Sequence, residues 1–180
     1  MKIRIFLMIM LATMPAFSTF AQFRDGAKSY NELNDSEIVA AMRSNVRYLS
    51  SAMLEGRKAG SEGEALAAAH VAEVLKSYGV DVLSPSKGEL FGIKKENGDT
   101  LTSRNVLAYI QGYDKNLRDR YIVIGARLDN IGTMTATVDG RPVERVFCGA
   151  NGNASGLAVM MELARMIQTN SMMFRRSVLF

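Results

Sequence analysis

The chain has 180 residues, 48% apolar and 22% charged, which is the composition of one folded domain with a real core and excludes a disordered segment. The net charge of +4 falls to +2 once Lys2 and Arg4 leave with the leader segment described next, and Arg175-Arg176 is a lone doublet, so the clustered basic stripe that nucleic-acid binding needs is missing. The single cysteine, Cys148, cannot close an internal disulfide and is expected to serve as a small, partly buried apolar residue.

In chain order, Lys2 and Arg4 precede an apolar stretch from Ile5 to Phe17, and Thr19-Phe20-Ala21 ends in a small residue. Residues 1–21 therefore read as a secretory signal peptide cut before Gln22. The apolar run is short of the ~20 residues a membrane span needs, and no later segment reaches that length. The expectation is a secreted or periplasmic protein that does not engage a membrane after signal removal. Residues 22–34 read as a polar, extended lead-in, and the folded domain is expected over 35–180.

Asn34-Asp35-Ser36 offers caps for a first helix whose apolar positions are Ile38, Ala41, Met42, Val46 and Leu49. Gly56 interrupts the pattern, and Arg57-Lys58-Ala59-Gly60 reads as a loop. Ser61 and Glu64 form a capping box, Ala67, Val71, Val74, Leu75 and Tyr78 share one face, and Gly79 stands where a helix ends. Glu62 and Glu64 are expected to complement the helix dipole. His70 lies mid-helix and is expected to be a satisfied or surface histidine.

Past Gly79 the period changes to that of strands. Val80 and Val82 alternate with polar residues. Leu90 to Lys95 predicts a strand followed by a hairpin-type turn at Asn97-Gly98. Val106 to Ile110 predicts another, and 113–120 is a polar loop. Tyr121 to Ala126 is apolar and β-branched, as expected for a central strand buried on both faces. Residues 132–145 read as irregular or as a hairpin turning at Asp139-Gly140. A buried helix follows 153–156, with Leu157, Met160, Met161, Ala164 and Ile167 as its stripe, widened by Val159, Leu163 and Met166; Asn153 and Ser155 are expected to cap it. Ser177 to Phe180 begins a strand. Alternating helices and buried strands predict an α/β three-layer sandwich with a mostly parallel or mixed central sheet. A sequence whose last four residues are an apolar strand is expected to be truncated.

Five segments together resemble one family. They are Leu54-Glu55-Gly56-Arg57-Lys58-Ala59-Gly60-Ser61-Glu62-Gly63, Ser103-Arg104-Asn105-Val106-Leu107-Ala108, Tyr121-Ile122-Val123-Ile124-Gly125-Ala126, Gly149-Ala150-Asn151-Gly152-Asn153-Ala154-Ser155-Gly156 and Arg176-Ser177-Val178-Leu179-Phe180. In order and spacing they resemble the N-terminal part of the di-zinc aminopeptidases that include bacterial leucyl aminopeptidase, with glutamate carboxypeptidase and the glutaminyl cyclases as relatives. The resemblance implies a zinc-exopeptidase-like fold and a site in which two zinc ions activate a shared water and polarise a carbonyl.

The resemblance also locates the site positions. The family's first histidine ligand falls at Arg127, its bridging aspartate at Gly152, and the aspartate that orients the histidine at Asp129. Guanidinium has no lone pair to give a cation, and glycine has no side chain. Arg127 and Asp129, two residues apart, are expected to pair. Asn151 is read as turn chemistry, with a weak oxygen ligand as the sharper alternative. No metal is expected in this chain as written, although zinc is the family's cofactor.

Three functions follow as expectations: an exported exopeptidase homologue without catalysis, whose cleft still accepts peptides; an active zinc exopeptidase with replacement ligands after Phe180; or a non-catalytic peptide-binding or scaffold module. Other catalytic classes lack their motifs: there is no Gly-x-Ser-x-Gly elbow, no phosphate loop, and no histidine placed beside Cys148.

Overall fold

A computed structural model describes residues 36–85 and 88–180. The signal peptide and the lead-in read at 1–21 and 22–34, and the caps Asn34 and Asp35, lie outside the described residues. Residues 37–180 form one compact unit.

Three helices build the apolar layer: α1 (Glu37–Leu49), α2 (Glu62–Ser77) and α3 (Ser155–Thr169). α2 begins and ends as its sequence dictates. The Ser61 hydroxyl accepts from the Glu64 amide at 3.2 Å, closing the cap. At the other end Val80 N donates to Leu75 O and Gly79 N to Lys76 O, the two bonds of a glycine-terminated helix, with Gly79 at φ +77°. α1 buries only Asn45 and Leu49, and Ile38 is exposed.

Eight strands follow: β1 (Asp81–Val82), β2 (Glu89–Lys94), β3 (Thr100–Asn105), β4 (Ala108–Ile110), β5 (Tyr121–Val123), β6 (Gly132–Val138), β7 (Arg141–Phe147) and β8 (Ser177–Leu179). The main sheet is mixed, in the order β1-β4-β8-β5, antiparallel except for the parallel β8–β5 pair. Ala108, Ile110, Val178 and Phe180 turn into the core with Val71 and Leu75 of α2 and Leu157 and Met161 of α3. The other face carries Tyr109 and Tyr121, whose rings lie 6.2 Å apart.

Two hairpins stand apart from this sheet. β2–β3 turns through Glu96-Asn97-Gly98, closed by Lys95 N to Asp99 O at 2.8 Å. β6–β7 is a regular hairpin over 132–147, and Asp139-Gly140 makes its two-residue turn with both residues at positive φ. Of the two forms read for this segment, the hairpin is the one adopted.

Three expectations are corrected. The segment 121–126 is not a central strand: β5 is short, lies at the sheet edge with β8 as its one neighbour, and all three of its residues are exposed, Val123 to 69%. Its β-branched run met the composition of a buried strand, but burial depends on a second neighbour that the described residues do not supply. On α3, Val159, Leu163 and Met166 form an exposed stripe, because the helix packs on α1 and α2 through its other positions. Finally, Asn153 and Ser155 do not cap α3. The helix follows a wide turn at Ala150–Ala154, its first flanking residue is Ala154 with no side-chain cap, and the Asn153 amide reaches the Arg127 carbonyl at 3.4 Å instead.

Candidate functional site

The site positions named from the sequence come together where three loops meet: 51–60 before α2, 124–131 after β5, and 148–154 before α3. Arg57 fastens them. Its side chain is fully buried, at 0% exposure. Its Nε donates to Leu128 O at 3.1 Å, its Nη1 to Cys148 O at 2.9 Å and to Leu49 O, and its Nη2 to Gly149 O at 3.1 Å. Its own carbonyl accepts from Asn130 N at 2.9 Å, and Asn130 Nδ2 donates to Phe147 O at 2.7 Å. A planar fork with five donors can bind several carbonyls at once, which a lysine cannot.

The backbone bends sharply to put Arg57 there. Glu55, Gly56 and Arg57 all have positive φ, 49°, 68° and 50°. Gly56 also has no room for a side chain, since a Cβ would come within 2.7 Å of Phe147 O and closer still to Gly132 O. Burial holds the Arg57 pKa below the ordinary arginine value; Cys148 and Asp129 oppose this and Arg127 adds to it. That Arg57 spans both site segments is not legible from the loop signal at 57–60. Its signal was an arginine enclosed by Gly56 and Gly60.

Arg127 and Asp129 follow β5 in an extended segment outside any regular strand. Arg127 Nε lies 3.7 Å from Asp129 Oδ1, with the side chains 61% and 43% exposed, a loose surface pair. The Arg127 guanidinium has no hydrogen-bond partner among the described residues. Gly152 lies in the turn before α3, joined to Asn153 by a cis peptide. A Cβ at Gly152 would meet only Asn130 Oδ1, at 3.4 Å, an ordinary contact. Asn151 is exposed in the same turn. The turn and the Arg127 segment are adjacent, since Asn153 bonds the Arg127 carbonyl.

Beside this segment lies a cavity of about 410 Å³, within the usual range of small-ligand pockets. Phe91 and Ile93 of β2, Val123, Leu157 and Phe180 give it apolar walls, and Arg127 and Asp129 stand on its lining. Glu64 and Arg104 form its polar side. Glu64 is 1% exposed. Its Oε1 accepts from Ser103 Oγ at 2.6 Å, and its Oε2 accepts from Gly60 N at 2.8 Å and Arg104 Nε at 3.3 Å. The dipole role expected for Glu64 is thus secondary. The carboxylate turns inward to join α2 to β3, a partnership forty residues apart that helix-start composition does not reveal.

His70 is far from these loops. Its Nε2 meets Asn45 Oδ1 at 3.0 Å and its ring stacks on Tyr48 at 4.1 Å, so it joins α1 to α2 as a satisfied histidine. Cys148 is half-buried, with its thiol 3.8 Å from Val146 O.

A mixed sheet carrying helices on one face, with loops after β5 and before α3 meeting at its edge, defines the α/β fold of the zinc exopeptidases. Residues 105–180 match the sequence pattern of Peptidase family M28. The fold is similar to that of Porphyromonas gingivalis glutaminyl cyclase, at 19% identity and TM-score 0.56, over 81% of this chain and 46% of that one. It is also similar to a Zn-dependent exopeptidase from Parabacteroides distasonis, at 15% identity and TM-score 0.51, over 79% and 44%. A third similar fold is the glutaminyl cyclase of Fimbriiglobus ruber, at 19% identity and TM-score 0.51, over 78% and 43%. Among curated proteins, none matches. The chain thus spans a little under half the length of these structural neighbours, and the resemblance read from its five segments is to the family the comparisons find.

The family's zinc can be tested against the donors present. Zinc takes neutral imidazole, thiolate or carboxylate. After β5, where the resemblance read from the sequence puts the first ligand, stands the cationic Arg127, and where it puts the bridging aspartate stands Gly152, which has no side-chain donor. Asp129 is a carboxylate, but its nearest charge is the guanidinium 3.7 Å away. These residues do not fit the ion.

Proposed function

We propose that this chain is an exported metallopeptidase homologue of the zinc exopeptidase class that does not hydrolyse peptides, and whose cleft keeps a binding role. The observation that carries the reading is Arg127 on the cavity wall beside Asp129, with the turn that holds Gly152 tied to the Arg127 carbonyl through Asn153. A fixed positive charge stands where the resemblance puts a cation's ligand, and a guanidinium excludes the cation by repulsion as well as by lacking a lone pair. The scaffold around it is intact: Arg57 still fastens both loops, and Asn153 still ties the turn to the Arg127 segment. Loss of chemistry with retention of the cleft's frame supports a binding role over a random decay of the fold.

Export rests on Lys2, Arg4 and the apolar stretch that follows. Among the described residues no helix is long and apolar enough to cross a membrane.

The test is zinc content and activity on the same sample. The chain is purified without chelator, zinc is measured by native mass spectrometry, and hydrolysis of leucine p-nitroanilide is followed with and without EDTA. The expected result is no zinc and no EDTA-sensitive hydrolysis. Two zinc ions per chain with EDTA-sensitive release would overturn the reading in favour of an active exopeptidase.

A further inference from the structure

The cavity beside β5 combines apolar walls with an exposed guanidinium, that of Arg127. Two guanidinium groups, Arg104 and Arg127, line it with two carboxylates, Glu64 and Asp129, and the buried Arg57, outside the lining, is coupled electrostatically to Arg127 and Asp129. Glu64 is already committed to Ser103, Gly60 and Arg104, so its charge is neutralised within the wall. Arg57 is buried and meets only carbonyl oxygens, which accept its protons without cancelling its charge. Arg127 pairs with Asp129 only loosely, at 3.7 Å, and its guanidinium makes no hydrogen bond among the described residues, so the fork can take up a planar anion.

From this we infer that the cavity binds a monocarboxylate with an apolar body, the body lying against Phe91, Val123, Leu157 and Phe180 and the carboxylate on the Arg127 fork. The inference deepens the binding role proposed above and rests on that reading's non-hydrolytic cleft. The loosely paired Arg127 guanidinium argues for an anion over an amine, and its fork argues for a carboxylate over a point anion such as chloride. A volume of about 410 Å³ admits a branched aliphatic or aromatic acid.

The experiment is calorimetric titration of the full chain with 3-phenylpropanoate and 4-methylpentanoate, each beside its uncharged amide, in buffer containing EDTA. The acids are expected to bind at one site at least about tenfold more tightly than the amides, the scale of one charge-assisted pair. Arg127→Gln should abolish that preference. Asp129→Asn, which removes the competing carboxylate, should strengthen acid binding. Circular dichroism melts establish that each variant is folded, and the Asn variant tests the inference even if the Gln variant unfolds. Equal binding of acid and amide, no acid binding at millimolar concentration, an unchanged preference in Arg127→Gln, or weaker acid binding in Asp129→Asn each overturns it. Because EDTA is present throughout, a failure here is separate from a failure of the non-hydrolytic reading, which zinc content and hydrolysis decide.

Discussion

The Ser103 hydroxyl donates to Glu64 Oε1 across 2.6 Å and so joins β3 to the first turn of α2. Both residues are buried, and the other oxygen of the carboxylate holds Gly60 and Arg104. Removing one partner of such a group leaves the others without theirs, and it is this loss, more than the net value of the contacts, that sets the cost. Glu64→Ala is therefore expected to destabilise the chain by about 3 kcal/mol or more, and Ser103→Ala by about 1–2 kcal/mol. Urea unfolding of the two variants checks both. A loss under about 1 kcal/mol for Glu64→Ala would mean that water replaces the carboxylate at no cost.

Arg57 gives the second prediction. Arg57→Met keeps much of the side chain's bulk but withdraws the donors from Leu49, Leu128, Cys148 and Gly149. Relief of a buried charge offsets part of this, so a net loss of about 2–4 kcal/mol is expected. Arg57→Lys should recover little, since a single ammonium cannot reach carbonyls on two loops and the end of α1. Hydrogen exchange gives the sharper readout: the amides of 128–130 and 148–154 should lose protection before those of α2. Uniform loss across the chain would show that Arg57 stabilises the whole fold without fastening the site loops.

His70 makes stability depend on pH. Burial between α1 and α2 holds its pKa below the ordinary histidine value, against the opposing pull of Glu73. The unfolded chain then binds more protons than the folded one in the window between the two values, so stability rises with pH there. The contribution is fully present above the unfolded value of about 6.5 and is lost as pH falls toward the lower, folded value. His70→Gln should melt at temperatures that fall less between pH 7.5 and 5 than those of the parent. Parallel curves for the two proteins would remove His70 from the acid sensitivity.

These residues also show where sequence reading succeeds. Ser61, Glu64 and Gly79 bounded α2 correctly, because caps are decided within a turn of the residue that makes them. Asp139-Gly140 marked the turn for the same reason, although the segment around it reads equally as irregular or as a hairpin. The burial of Arg57 and Glu64 was not legible, because beyond the nearby Leu49 and Gly60 their partners lie 71 to 92 and 39 to 40 residues away, and no local pattern encodes such distances. β5 misled for a related reason: its composition is that of an interior strand, while its place at the edge depends on which strands flank it. The meeting of the Arg127 segment with the 149–154 turn was accessible through family resemblance and not through periodicity.

The last prediction concerns what separates this site from one that holds metal. A Cβ at Gly152 meets only Asn130 Oδ1, at 3.4 Å, and the backbone there has φ −129°, which any residue adopts. Gly152→Asp should therefore cost about 1 kcal/mol, since the added side chain meets only an ordinary contact. Placed in the turn tied to the Arg127 carbonyl, the new carboxylate is expected to pair with the guanidinium and to gain no zinc affinity. With Arg127→His as well, an imidazole and a carboxylate stand on the two joined segments, and Asp129 is placed to orient the imidazole. The double variant should bind zinc at least about tenfold more tightly than the parent in competition with a fluorescent chelator, an effect of about 1.4 kcal/mol. Equal zinc affinity in all three proteins would show that the two substituted positions do not share one metal-sized space, and the correspondence between this turn and a zinc bridge would fail with it.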